Sequence, residues 1–274
     1  MKSPFKITLA LLLCTMCLYV ACKKSETVPA ENKAPVNTAD IGKQIASSLY
    51  SSLSNGLSTS DALNTNSTKG GLVTMDSNHG CGEVVTTPTN NTTVSGDTTR
   101  KYTGNSIFTY MCNGYFNNGY NIDAYTLSDT LKTIETGSGF ANSYYLTLNY
   151  VVKTTDASYA YVTIGGTTSI SSHLSKIKGS VTTGYDDFST AYILNNIAAQ
   201  RTGAANPVIV LGRVDFNTTT ADQDATTNPA GSTAAYGGYI LFLPNNTAKL
   251  YFENPDGSYK GYLDNLLTGE ITAL

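Results

Sequence analysis

The sequence predicts a mainly β protein, an antiparallel meander forming a half-barrel, barrel or sandwich, with one N-terminal amphipathic helix. Three observations predict it. The chain of 274 residues is 41% hydrophobic but only 14% charged, with 19 Tyr, no Trp and long Thr-rich stretches, the usage of a pleated, half-buried surface. Residues 144–152 alternate strictly: Tyr144, Leu146, Leu148, Tyr150 and Val152 fall on one face, and Tyr145, Thr147, Asn149 and Val151 on the other. That is the period of a strand. Similar runs recur at 101–112, 120–136, 159–170, 206–217, 236–243, 248–253 and 258–263, and without helical patterns between them they connect as antiparallel neighbours. So little charge beside so much apolar material excludes a largely disordered chain. A net charge of -3 and a pI near 5.3 leave no basic footprint for nucleic acid.

The elements follow in chain order. Residues 1–21 read as an export signal: Lys2 and Lys6 precede an apolar run from Ile7 to Val20, shorter than the about 20 residues a membrane-spanning helix needs. The run ends in Leu18-Tyr19-Val20-Ala21-Cys22, which resembles a bacterial lipobox. The resemblance implies cleavage before Cys22 and acylation of its thiol and of the new amino terminus. Acyl chains supply membrane affinity at about 0.8 kcal/mol per buried methylene, so the partner expected at this end is the membrane. Residues 22–38 are polar, with Pro29 and Pro35, and read as a tether.

Residues 39–57 carry an apolar residue at every fourth position, Ile41, Ile45, Leu49, Leu53 and Leu57, after Asp40 as a candidate N-cap and with Gly56 as an end signal. That spacing predicts the helix. Residues 58–80, rich in Ser, Thr, Asn and Gly, read as a linker, and 81–274 as the β domain. Asn254-Pro255-Asp256-Gly257 and Asn245-Asn246 are turn signals. Residues 185–201 fit a helix face and a strand about equally, and 217–230 reads as a loop.

Candidate chemistry is sparse. Cys14 and Cys17 leave with the signal, so Cys81 and Cys112 are the two cysteines of the body. Export favours a disulfide between them. The alternative gathers His79, Cys81, Cys112 and His173 into a zinc site, although a second Cys-x-x-Cys or His-x-x-x-His half is missing. His173, in Ser171-Ser172-His173-Leu174-Ser175, reads as a histidine of a Ser-rich loop. No Gly-x-Ser-x-Gly, His-Glu-x-x-His or phosphate-cradling motif is present, and nothing in the pattern requires a cofactor. Asp186 and Asp187 would point to opposite faces of a strand. Asp222 and Asp224 match the first two ligands of a calcium loop, with Thr227 where its central Gly belongs and Thr233 where its closing Glu belongs. The Tyr excess fits a half-exposed sheet, with sugar stacking as the sharper reading.

Further motifs carry a family likeness. Cys81-Gly82-Glu83-Val84-Val85, Gly96-Asp97-Thr98-Thr99, Phe108-Thr109-Tyr110-Met111-Cys112, Gly119-Tyr120 and the closing Leu267-Thr268-Gly269-Glu270 resemble a group of uncharacterised Bacteroidetes outer-membrane lipoproteins, over roughly 81–274. The resemblance implies an outer-membrane location, lipid-anchored and facing the periplasm or the cell surface, and brings no catalytic residues. Asp97-Thr98-Thr99 and Asp129-Thr130-Leu131 resemble acceptors of O-glycosylation in exported proteins of that phylum, which makes Thr98 and Thr130 candidate sites. The function expected is a non-catalytic binding or structural module of the envelope. The alternatives are a carrier of a lipid or other apolar ligand, and a glycan-active enzyme. An apolar cavity beneath the helix would favour the carrier, a filled core with exposed Tyr the module, and two carboxylates, or His173 and a Ser, converging in one cleft the enzyme.

Overall fold

A computed structural model of the chain describes residues 38–58, 79–112, 122–156, 160–200 and 208–274. The export signal, Cys22, the tether before Thr38 and linker residues 59–78 lie outside the described residues. After the helix α1 (Thr38–Ser58), eleven strands follow: β1 (Val84–Ser95), β2 (Thr98–Met111), β3 (Ala124–Gly137), β4 (Phe140–Thr154), β5 (Tyr161–Lys178), β6 (Val181–Gln200), β7 (Val208–Asp224), β8 (Asn228–Leu243), β9 (Thr247–Glu253), β10 (Tyr259–Asn265) and β11 (Glu270–Ala273). They form one antiparallel sheet in chain order. β1 and β11 are its two edges, so the expected meander stays open and lies in a single sheet.

Turn chemistry explains that order. Two-residue turns join β1 to β2 at Gly96-Asp97, β3 to β4 at Ser138-Gly139 and β5 to β6 at Gly179-Ser180. Gly96 and Gly179 have φ of 60° and 65°, the left-handed conformation that tight hairpins require. Asn245 and Asn246 take the same region between β8 and β9, at 65° and 54°, as the sequence signal implied.

Alternation turns one sheet face inward. Tyr125, Tyr150, Ile164, Tyr192, Phe216, Ile240 and Leu250 are all buried there, and α1 lays Ile41, Ile45, Ala46, Leu49 and Leu53 on the same cluster. Polar ties fix the helix in place. The Tyr192 hydroxyl donates to the Ile45 carbonyl at 3.0 Å, and Thr38 Oγ1 lies 2.6 Å from the Tyr262 hydroxyl of β10. Contact is closest at Gly42, where a Cβ would stand 2.4 Å from Leu250 Cδ2. No described helix is long and apolar enough to cross a membrane.

Several expectations change. The helix begins at Thr38, which puts Asp40 inside its first turn, where a carboxylate favours the positive end of the helix dipole. Residues 185–200 belong to strand β6, and Arg201 lies outside the described residues. β1, which is not among the expected runs, pairs with β2 throughout despite Pro88; an edge strand tolerates a residue without an N–H. Residues 171–178 and 217–224 belong to β5 and β7, with the turn confined to 225–227. These Ser- and Thr-rich stretches pair because both neighbours continue beside them, and many of their outward residues remain at least partly exposed.

Cys81 and Cys112 form a disulfide, with Cα atoms 5.4 Å apart, joining the turn before β1 to the residue after β2. The zinc alternative is overturned, since neither sulfur is a thiolate. His79 stacks on Tyr110 at 4.3 Å and meets Glu83 Oε1 through Nδ1 at 3.0 Å.

Candidate functional site

Cross-strand register assembles the site. Ser143, His173, Asp187, Ala221 and Thr233 lie opposite one another on β4 to β8, and Tyr145, Ser171, Ser189, Thr219 and Ala235 form the next row. Directly paired residues share a sheet face. Their chain neighbours Tyr144, Ser172 and Phe188 are buried in the core, so both rows belong to the outer face. Small side chains across β5 to β8 leave an open trough of about 650 Å³, with Tyr145 among its lining residues. Tyr145 is 45% exposed, and Lys132 Nζ stands 5.2 Å from its ring centroid.

At one end of the trough lies a hydrogen-bonded relay. His173 Nδ1 is 2.5 Å from Asp187 Oδ1, and His173 Nε2 is 2.9 Å from Ser175 Oγ. A carboxylate can only accept, so Nδ1 carries the proton and, in the neutral ring, Nε2 accepts from the Ser175 hydroxyl. The Tyr185 ring stacks on the imidazole at 5.6 Å. The Ser-rich loop read from the sequence is thus a strand, in which His173 and Ser175, two residues apart, share a face.

A β-bulge selects the carboxylate. From the turn, Lys178 pairs with Val181 and Ile177 with Thr182, but Lys176 pairs with Gly184. Without that slip His173 would stand opposite Asp186; with it, Asp187 takes the place. Asp186 goes to the other face, as strand geometry requires, and lies 3.6 Å from Lys176 Nζ.

The remaining candidates stand elsewhere. Asp222 accepts from the Ser232 hydroxyl and from Asn228 Nδ2. Asp224 accepts the turn amides of Thr226 and Thr227 at 2.9 and 3.0 Å, and these bonds hold its carboxyl below the usual range. Both carboxylates therefore close the β7–β8 hairpin. No group of three or more His, Cys, Asp or Glu fit to hold a metal occurs among the described residues. Thr98 opens β2 beside Asp97, and Thr130 is exposed in the middle of β3 while Asp129 before it is buried. Neither lines the trough.

The tyrosines at the sheet surface differ in what their faces meet. Tyr239 stacks on Tyr251 at 4.9 Å and meets Tyr259 edge-on at 5.5 Å, and the Arg213 guanidinium lies 4.2 Å from the Tyr239 centroid while it donates to Asp215. These rings spend their faces on one another, a cross-strand ladder that stabilises the sheet. Tyr145 instead belongs to the trough. On the core side, Glu135 is buried but accepts from Arg100 at 2.6 Å and Asn142 at 3.2 Å, a paired charge of the structural kind.

Comparisons of the chain with protein-family models, with curated proteins and with solved structures find no match. The class defined by the fold and site is therefore an open, single-sheet antiparallel β protein with a helix packed on its inner face and a hydroxyl-lined trough on its outer face.

Proposed function

We propose that the chain is a lipoprotein of a Bacteroidetes outer membrane, held by acylated Cys22 and facing the periplasm or the cell surface, whose body binds carbohydrate. The observation that carries the binding reading is the outer trough. It sets an exposed ring, Tyr145, beside a floor of short hydroxyl side chains and the Asp187 carboxylate. A sugar presents an apolar ring face to an aromatic and its hydroxyls to donors and acceptors. The apolar-carrier alternative has less support. The helix residues Ile45, Ala46, Leu49 and Leu53 are all 0% exposed, so side chains occupy the volume a lipid would need.

Affinity electrophoresis in gels containing soluble β-glucan, xylan or mannan tests the reading. The wild-type chain should be retarded in at least one gel. Tyr145→Ala should weaken that retention about tenfold, or about 1.4 kcal/mol, the scale of a lost stacking contact. Equal mobility of the wild type in every gel overturns carbohydrate binding. The anchor is tested separately: Cys22→Ala should move the protein from the membrane pellet to the soluble fraction, and a variant still in the pellet rules out acylation at Cys22 as the anchor.

A further inference from the structure

We propose that Ser175, His173 and Asp187 form a nucleophile, base and orienting group, and that the chain hydrolyses acyl esters carried on glycan hydroxyls. The substrate class rests on the carbohydrate reading of the adjoining trough; the relay itself does not. Its connectivity is that required of an activated serine. Asp187 fixes the imidazole through Nδ1 at 2.5 Å, and Nε2 is left to take the Ser175 proton at 2.9 Å. All three residues stand on two paired strands, β5 and β6, a more rigid support than a loop. His173 and Asp187 line the trough and Ser175 stands one row beyond them on the same face, so an acyl group on a seated sugar meets the relay at the end of the trough.

The chemistry closes without a further reagent except water. Ser175 Oγ attacks the ester carbonyl carbon and passes its proton to His173 Nε2. The bond from that carbon to the sugar oxygen breaks, and the sugar oxygen takes the proton from His173, leaving an acyl-serine. Water then attacks the acyl carbon and gives a proton to His173. The carboxylic acid departs, and the proton returns to Ser175. Asp187 stays ionised throughout and acts as a positioning residue that stabilises the imidazolium. Proton transfer of this kind contributes about 10²–10⁴-fold. Ser175 pairs with Ala141 and Tyr185 on its two sides, so the strand amides serve the ladder and the rate expected is that of nucleophile activation without an amide oxyanion pocket.

The test combines a fluorophosphonate probe with p-nitrophenyl acetate, using the full mature chain. Peptide mapping should place the phosphonyl label on Ser175, and acetate release should exceed the buffer rate. Ser175→Ala and His173→Ala should each lower labelling at that peptide by at least about tenfold. The isosteric Asp187→Asn should slow labelling and move the acidic limb of its pH profile, which a merely structural loss does not. Labelling that is absent, spread evenly over other hydroxyls, or undiminished in His173→Ala overturns the relay. Both probes react without a seated sugar. A labelled chain that no polysaccharide retards therefore sinks the carbohydrate reading alone, and a retarded chain that does not label sinks the esterase alone.

Discussion

Asp264→Asn is expected to stabilise the protein near pH 7.5 by about 2–3 kcal/mol and to change little near pH 4. Asp264 is 0% exposed, and neither carboxylate oxygen has a hydrogen-bond partner. On β10 it lies opposite Ala248 of β9 and Ile271 of β11, which offer no charge. The facing charge from α1 is Lys43. Burial pushes the Asp264 carboxyl from 3.8 up to about 6, with Lys43 pulling the other way. Between those values the folded state keeps a proton that the unfolded chain has released, so stability falls as pH rises through the window and the loss is complete above it. Exposed carboxylates such as Glu83, Asp97 and Asp256 are held below their usual range by hydrogen bonds and tilt the profile the opposite way. Their contribution cancels when variant and wild type are compared in parallel urea titrations. A stability difference that is the same at both pH values would show that Asp264 is not the buried acid it is taken to be.

The elements legible in the sequence are those in which a single local signal suffices. The helix follows from Ile41, Ile45, Leu49 and Leu53, all of which pack inward, and β4 from nine alternating residues. The turns at 245–246 and 254–257 follow from Asn, Pro and Gly chemistry. The disulfide is legible from the expected export and the cysteine count. β1 and the outer halves of β5 and β7 were not legible, because apolar alternation fades where a strand runs past the core, and Pro, Ser, Thr and Asn then resemble loop text. Their pairing is supplied by the neighbouring strand, which no local window contains.

The trough was hidden for a related reason. His173 and Ser175 sit two apart in the text, a spacing that shares a face only in a strand, and the Ser-rich stretch carries no apolar alternation to mark one. Asp187 is different. Gly179-Ser180 sets a register that would put Asp186 opposite His173, and a one-residue bulge beyond the turn changes the partner. A bulge depends on the competition between pairings on both sides of β6, which also has irregular register against β7 near Asn195. Local residue types do not encode that outcome, so the carboxylate of the relay could be named only from the folded sheet.

Leu49→Ala is expected to lower the unfolding free energy by about 3–5 kcal/mol, the cost of a buried cavity that its surroundings fill only in part. The site has little freedom to collapse. Leu49 is 0% exposed between Ile45 and Leu53, and the Tyr192–Ile45 bond and the Thr38 contact to Tyr262 hold the helix at fixed height over the sheet. The form of the transition is as informative as its midpoint. A helix that belongs to the cooperative core moves the whole urea curve with an unchanged slope, because the same surface is exposed on unfolding. A helix that acts as a lid over ligand space would give a loss below about 1 kcal/mol, or an early phase in which amides of α1 exchange before those of β6. That second result would revive the apolar carrier, since a lid able to open exposes the inner face that is here filled by side chains. A single shifted transition keeps the inner face a filled core and leaves the proposed binding surface on the outer trough.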